Sequence, residues 1–155
     1  MLHWAAAKGY RTGDNPAAVV TLRHLLPVRL PKRLAVKHRK AVPWAEVPAL
    51  VADLRKRHST SARALLFTIL TAARTGEATG ALWAEIEPSL WNVPAARMKR
   101  RKTHRVPLAG PVVELLATLP RGRPDAFLFP GGKPGKPLSN MAMLELLRGM
   151  RPGAG

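Results

Sequence analysis

The sequence predicts a mainly α-helical fold that contains one small β-hairpin, an α+β arrangement. Apolar residues recur at helical spacing over residues 44–57 and 111–119, and residues 62–73 are apolar almost throughout. Two short runs of alternating polarity, Leu90–Pro94 and His104–Leu108, have the pattern of paired strands. Hydrophobic residues make up 46% of the 155 residues, which is enough to form a core.

The first 43 residues predict the end of one helix and an exposed linker. Residues 1–8 have helical character, and Gly9 and the cluster Gly13–Pro16 stop the helix. Residues 29–40 carry six Lys or Arg residues, no acid and one proline. We interpret this stretch as a linker that can lie along phosphate groups, with Lys37, Arg39 and Lys40 as DNA-contacting residues.

Two helices are predicted next. Residues 44–57 form an amphipathic helix with its apolar positions at Val47, Leu50 and Leu54. Ser59, Thr60 or Ser61 caps the following helix, which is buried on most sides and extends to Ala73. After Arg74 a further helical stretch is expected to continue through Leu82.

The remainder of the chain supplies the hairpin and two more helices. A strongly basic connection joins the two predicted strands. A helix follows over Pro111–Leu119, then an aromatic loop over Phe127–Pro130. Ser139 is expected to cap a last helix, Asn140–Met150.

Composition indicates a nucleic-acid partner. The chain has 26 Lys and Arg residues against 9 Asp and Glu residues, a net charge of +17. Repulsion of this size opposes compaction unless a polyanion screens it, and nucleic acid is the usual polyanion. A ribosomal-type or nonspecific basic protein has the same charge signature, so charge alone does not separate these classes.

Several site classes are disfavoured by composition. There is no cysteine, the five histidines are scattered, and Glu85 and Glu87 are the only close pair of acids. Metal-dependent nucleases need clustered carboxylates, so we expect no metal ion, no cofactor and no small-molecule substrate. Signal-peptide and membrane-span patterns are also missing, which predicts a soluble protein of the bacterial cytoplasm, associated with the nucleoid and not with a membrane.

Arg74 is the first candidate site residue. It follows an apolar helix, and Glu77 lies three residues later, close enough to orient it. A guanidinium held in this way offers a fork of donors that fits two phosphate oxygens. The alternative is a purely structural Arg74–Glu77 ion pair, which the residues alone favour.

The basic hairpin is the second candidate. Lys99 near its start can donate a proton to a leaving hydroxyl. Its basic neighbours are predicted to contact DNA phosphates or to remain solvated in a basic turn. They are Arg97, Arg100, Arg101, Lys102 and Arg105.

Four motifs in order resemble the catalytic domain of phage-type tyrosine recombinases. They are TAARTGEATGALWAEI (71–86), LWNVPAARMKRRKTHRVPL (90–108), FLFPGG (127–132) and PLSNMAMLELLRGM (137–150). Each motif is weak alone, but four in collinear order are specific. The stretch GYRTGDNPA (9–17) is similar to the exit from that family's core-binding domain, and residues 37–55 are similar to the approach to its first catalytic-domain helix and to that helix itself.

The resemblance implies a metal-free DNA transesterification through a phosphotyrosyl intermediate. Arg74 matches the arginine that clamps the scissile phosphate, Glu77 its supporting acid, and Lys99 the general acid toward the 5′-hydroxyl. The resemblance also implies a domain organisation. Residues 1–16 are the end of a core-binding (SAM-like) domain, 17–43 a basic linker, 44–150 an incomplete catalytic domain and 151–155 a divergent tail.

The family's H-x-x-R motif and nucleophilic tyrosine have no counterpart in these residues. The one tyrosine, Tyr10, lies far ahead of Arg74, and packing at a domain edge is its expected role. We therefore expect a C-terminally truncated recombinase of a prophage or genomic island, which acts on double-stranded DNA, associates with other copies there and does not cleave alone. Two alternatives stay open: a non-catalytic accessory or regulatory DNA-binding protein on the same scaffold, and a generic basic protein with chance resemblance.

Overall fold

The structure is a computed structural model and describes residues 2–15, 18, 22, 41–98 and 101–152. The chain divides into two compact units, residues 1–38 and 39–155. In the first unit, helix α1 spans Leu2–Ala7. Gly9 follows with a φ of 75°, a left-handed conformation that glycine adopts without steric cost, and α1 ends there as the sequence predicts.

The second unit begins with two packed helices. A 3-10 turn at Trp44–Glu46 precedes α2 (Val47–Arg55), and α3 spans Thr60–Thr71. The α-helix predicted from Trp44 therefore starts three residues late, because Pro48 has no N–H and favours the first turn of a helix. The predicted cap of α3 is confirmed: the backbone N–H of Ala62 donates to Ser59 Oγ at 3.3 Å.

A short helix and the hairpin follow. Helix α4 covers only Thr75–Thr79, so the prediction of a helix through Leu82 is wrong. Leu82 is extended and pairs in an antiparallel bridge with Phe127, a long-range contact that competes with helix continuation. Strands β1 (Leu90–Val93) and β2 (His104–Pro107) form an antiparallel pair in which Leu90 faces Pro107 and Val93 faces His104.

The last two helices are α5 (Gly110–Ala117) and α6 (Ala142–Met150). Ser139 is not the N-cap of α6. Its Oγ accepts the N–H of Met141 at 3.3 Å in the turn before the helix, and its carbonyl accepts the N–H of Ala142. Both the mainly α-helical class and the small hairpin are confirmed.

Helix α3 lies at the centre of this unit and packs against α2, α4, α5 and α6. The largest buried side chains meet on it: the ring of Phe67 lies 5.0 Å from that of Trp91 and 5.4 Å from that of Phe129, between centroids. Because Trp91 belongs to β1, this aromatic cluster fixes the hairpin to the helical core. The cluster therefore sets the position of β1 relative to α3.

Candidate nucleic-acid interface

Arg74 lies at the corner between α3 and α4. Ala72 ends α3 with a φ of 51°, a left-handed conformation that is uncommon for a residue with a side chain. Arg74 is the extended residue immediately before α4. Arg74 thus lies in the short connection between the two helices, which we call the α3–α4 corner.

Glu77 holds Arg74 through two hydrogen bonds. The backbone N–H of Arg74 donates to Glu77 Oε2 at 3.0 Å, and its Nη1 donates to Glu77 Oε1 at 2.8 Å. The two side chains differ in exposure, since 72% of the Arg74 side chain is exposed but only 8% of the Glu77 side chain. The predicted pair is present, and it leaves most of the guanidinium open to a ligand.

The ionisation of Glu77 is coupled to its neighbours. Burial acts to raise the pKa of the Glu77 carboxyl, but the side-chain and backbone hydrogen bonds from Arg74 outweigh it. The charges of Arg74 and His104 add to that effect, so the pKa of Glu77 falls below its usual value. Glu77 therefore stays ionised at neutral pH and keeps its hold on Arg74.

An open cleft of about 830 Å³ lies between the α3–α4 corner and the hairpin. Arg74 and Glu77 line one side of it, and Met98, His104 and Val106 line the other. His104 is a site residue that sequence reasoning missed. Alternation along β2 indicates that His104 and Val106 share one face, but only the fold shows that this face meets Arg74.

The predicted basic residues of the hairpin occupy different surroundings. Arg101 and Lys102 are exposed near the turn, and Arg101 has a φ of 51°. Arg105 is exposed and lies between His104 and Val106, so it points to the face of β2 opposite the cleft. The structure therefore brings Arg74, Glu77 and His104 together and leaves Arg105 apart from them.

Arg97 is engaged inside the protein. Its Nη2 donates to Glu85 Oε2 in an ion pair, and only 23% of its side chain is exposed. Glu85, which the sequence placed beside a turn, is buried and also accepts the indole N–H of Trp91 at 3.1 Å. These contacts leave little of the Arg97 guanidinium for a phosphate group.

Other predicted site residues lie outside the described residues. They are Lys37, Arg39, Lys40, Lys99 and Arg100. Tyr10 lies in the first unit, where 75% of it is exposed and its ring is 5.8 Å from that of Trp4. Tyr10 therefore contacts α1 through Trp4 and is otherwise largely exposed, and its packing at a domain edge stays a prediction.

Within the described part of the chain, no cluster of three or more His, Asp or Glu side chains has an arrangement that could hold a metal ion. Across the same residues, none of the helices has the length and apolar character needed to cross a bilayer.

Two curated proteins are similar to this chain. It is 38% identical over 114 residues to prophage integrase IntZ and 36% identical over 118 residues to prophage integrase IntA, both of Escherichia coli (strain K12). Each match covers 71% of this chain but 28% of the relative, so the chain spans little more than a quarter of the length of these proteins. No family profile and no solved structure matches the chain.

Proposed function

We propose that this chain is a DNA-binding portion of a site-specific recombinase. The premise is that, over the matched segment, the chain belongs to the phage integrase family of tyrosine recombinases. The geometry of Arg74 is the observation that carries the proposal. Glu77 fixes the backbone and one terminal nitrogen of Arg74, while 72% of the side chain faces solvent at the cleft. A guanidinium oriented in advance loses little conformational freedom when it binds a phosphate.

The electrostatic setting supports a phosphate ligand. Within the described residues, the Nε and Nη2 groups of Arg74 have no protein partner, so they remain available as donors to phosphate oxygens. His104 faces the same cleft, and Arg101 and Lys102 are exposed on the hairpin beyond it. Double-stranded DNA presents closely spaced phosphates that can bind such donors.

The proposed chemistry follows the family resemblance. Arg74 stabilises negative charge on the scissile phosphate, and Lys99 protonates the 5′-hydroxyl that leaves. The attacking group of that reaction is a tyrosine, and the one tyrosine of these 155 residues is Tyr10 in the first unit. We therefore propose that these residues alone bind DNA and do not cleave it. Binding takes place in the bacterial cytoplasm, and more than one copy can associate on the DNA.

Arg74→Ala tests the phosphate clamp, with Arg101→Ala as the charge-matched control. DNA binding would be measured by fluorescence anisotropy over a series of salt concentrations. We expect Arg74→Ala to weaken binding more than Arg101→Ala and to lower the salt slope by about one phosphate contact. Equal effects of the two substitutions would instead favour a generic basic surface.

Incubation with supercoiled DNA tests the second part of the proposal. We expect no covalent protein–DNA adduct after denaturing electrophoresis, because no tyrosine lies near Arg74 along the chain. An adduct that disappears in a Tyr10→Phe variant would contradict the proposal.

A further inference from the structure

Glu85 is a buried carboxylate that the proposed reaction does not use. It ends the 3-10 turn Trp83–Glu85, and only 8% of its side chain is exposed. It accepts the indole N–H of Trp91 from β1 and the Nη2 of Arg97 from the turn that follows β1. One carboxylate therefore ties β1 to the 3-10 turn Ala95–Arg97 that follows it, and we call residues 90–97 the hairpin stem.

Arg97 is confined on more than one side. Its Nε is buried without a hydrogen-bond partner within the described residues. A Cβ atom added to Gly80 would lie 3.0 Å from Arg97 Nη1 and 3.3 Å from its Cδ, so the guanidinium packs directly against the backbone after α4. The side chain thus bridges the end of α4, the 3-10 turn of Glu85 and the hairpin stem.

Stability alone is a weak reason for such a pair. Removing a carboxylate and a guanidinium from water is costly, and apolar side chains of similar volume often stabilise a protein as well. An ion pair differs from an apolar contact because it is directional: a planar guanidinium bonds a carboxylate only over a narrow range of positions. The pair therefore adds a directional constraint on the segment after β1 to the packing of Trp91 in the core.

We propose that Glu85 and Arg97 are positioning residues that hold the hairpin stem against the Arg74 cleft. Met98 follows Arg97 directly and lines that cleft, and Lys99 is the next residue in the chain. Arg97 thus acts through its neighbours and makes no DNA contact itself. The link to DNA rests on the proposed function, but the brace is a property of the fold and is tested separately.

The first test measures the stem without DNA. The chain has no cysteine, so Ala52→Cys on α2 and Lys102→Cys on the hairpin accept nitroxide labels at these two sites alone. Electron-paramagnetic distance measurements would compare the doubly labelled parent with Glu85→Gln and Gly80→Ala, at temperatures where circular dichroism shows each to be folded. We expect both variants to broaden the distribution of distances between the two labels, because the segment after β1 loses a directional contact while Trp91 stays in the core.

The second test measures DNA affinity, with charge as the discriminator. Glu85→Gln removes a negative charge, so a simple electrostatic effect would tighten DNA binding, whereas loss of the brace weakens it. Glu87→Gln is the matched control, because its carboxylate is exposed just before β1 and glutamine keeps an oxygen that can accept the Asn92 Nδ2 hydrogen bond, which is 2.6 Å long in the parent. We expect weaker binding for Glu85→Gln, unchanged or tighter binding for Glu87→Gln, and an unchanged salt slope for Arg97→Met.

The outcomes separate the two proposals. Unchanged label distances in both Glu85→Gln and Gly80→Ala overturn the brace, as does a salt slope lowered by one contact in Arg97→Met. If the parent chain does not bind DNA, the proposed function fails, while the distance measurement still decides whether the brace exists. Gly80→Ala keeps the charge constant and so provides a second test where Glu85→Gln does not fold. Its Cβ would also lie 3.1 Å from the Gly76 carbonyl oxygen, so its helix content must match that of the parent by circular dichroism.

Discussion

Glu77→Gln is the substitution that most directly probes the Arg74 corner. The Glu77 carboxylate accepts the Arg74 backbone N–H at 3.0 Å and its Nη1 at 2.8 Å. Glutamine offers one acceptor oxygen, so its NH₂ group must face one of these two donors. The substitution therefore removes one hydrogen bond and the charge of the acceptor.

The expected loss follows from the two contacts. Removing the side-chain acceptor of a helix N-terminus costs about 0.5–2 kcal/mol. The contact with the guanidinium adds less than about 1 kcal/mol, because 72% of the Arg74 side chain is exposed and solvent screens the pair. We expect Glu77→Gln to lower the free energy of unfolding by about 1–2 kcal/mol, or the Tm by roughly 4–8 °C.

The effect depends on pH in a defined direction. The folded-state pKa of Glu77 lies below its usual value, so the stabilisation by its carboxylate is present above the unfolded-state pKa. That stabilisation is lost as the pH falls through the folded-state pKa. Parent and variant should therefore differ at pH 7 and converge in acid.

Thermal unfolding followed by circular dichroism, at neutral pH and over an acid series, provides the measurement. Glu114→Gln is the control, because this carboxylate is exposed on α5 and has no ion pair within the described residues. We expect the control to change the Tm little at any pH. A Glu77→Gln variant as stable as the parent at pH 7, or a Tm difference that persists undiminished in acid, would refute the reasoning.

Three further predictions concern the fold of the second unit. Ala72→Gly should raise the free energy of unfolding by up to about 1 kcal/mol in chemical denaturation, since glycine adopts the left-handed φ of 51° without strain; a lower stability would contradict this. Phe67→Ala should lower the free energy of unfolding by about 3–5 kcal/mol in the same assay and expose Trp91 to fluorescence quenchers. A loss of stability below about 1 kcal/mol would mean that neighbouring side chains fill the cavity. Asp53→Asn weakens the contact with Arg151 Nη2, which is 2.8 Å long. Amide hydrogens at the end of α6 should therefore exchange faster in the variant, whereas those of α3 should not, and a uniform acceleration would indicate global destabilisation instead.

Local features of the sequence predicted the helices and the Arg74–Glu77 pair. Three residues separate Arg74 from Glu77, and Ser59 lies next to the helix that it caps, so chain geometry alone brings these groups together. The strands were predicted to within one residue because the alternation of polarity directly reflects the two faces of a hairpin.

Features that depend on distant residues were not predicted. Glu85 and Arg97 are twelve residues apart. They meet only because the chain that follows the 3-10 turn Trp83–Glu85 returns beside it through β1 and the turn Ala95–Arg97. The early end of α4 depends on the bridge between Leu82 and Phe127, and the place of His104 in the cleft depends on how the hairpin packs on α3. Spacing along the chain carries no information on such contacts.

The packing of α6 on α3 also bears on the order in which the protein folds. Thr68 Oγ1 of α3 lies 3.5 Å from the sulfur of Met143 of α6, a contact across 75 residues of chain. Closing an unstructured loop of that length costs roughly 4 kcal/mol in entropy, whereas α2 and α3 are joined by a short turn. Prior formation of the hairpin and α5 shortens this loop, so docking of α6 is expected to be a late step, and its release an early step in unfolding.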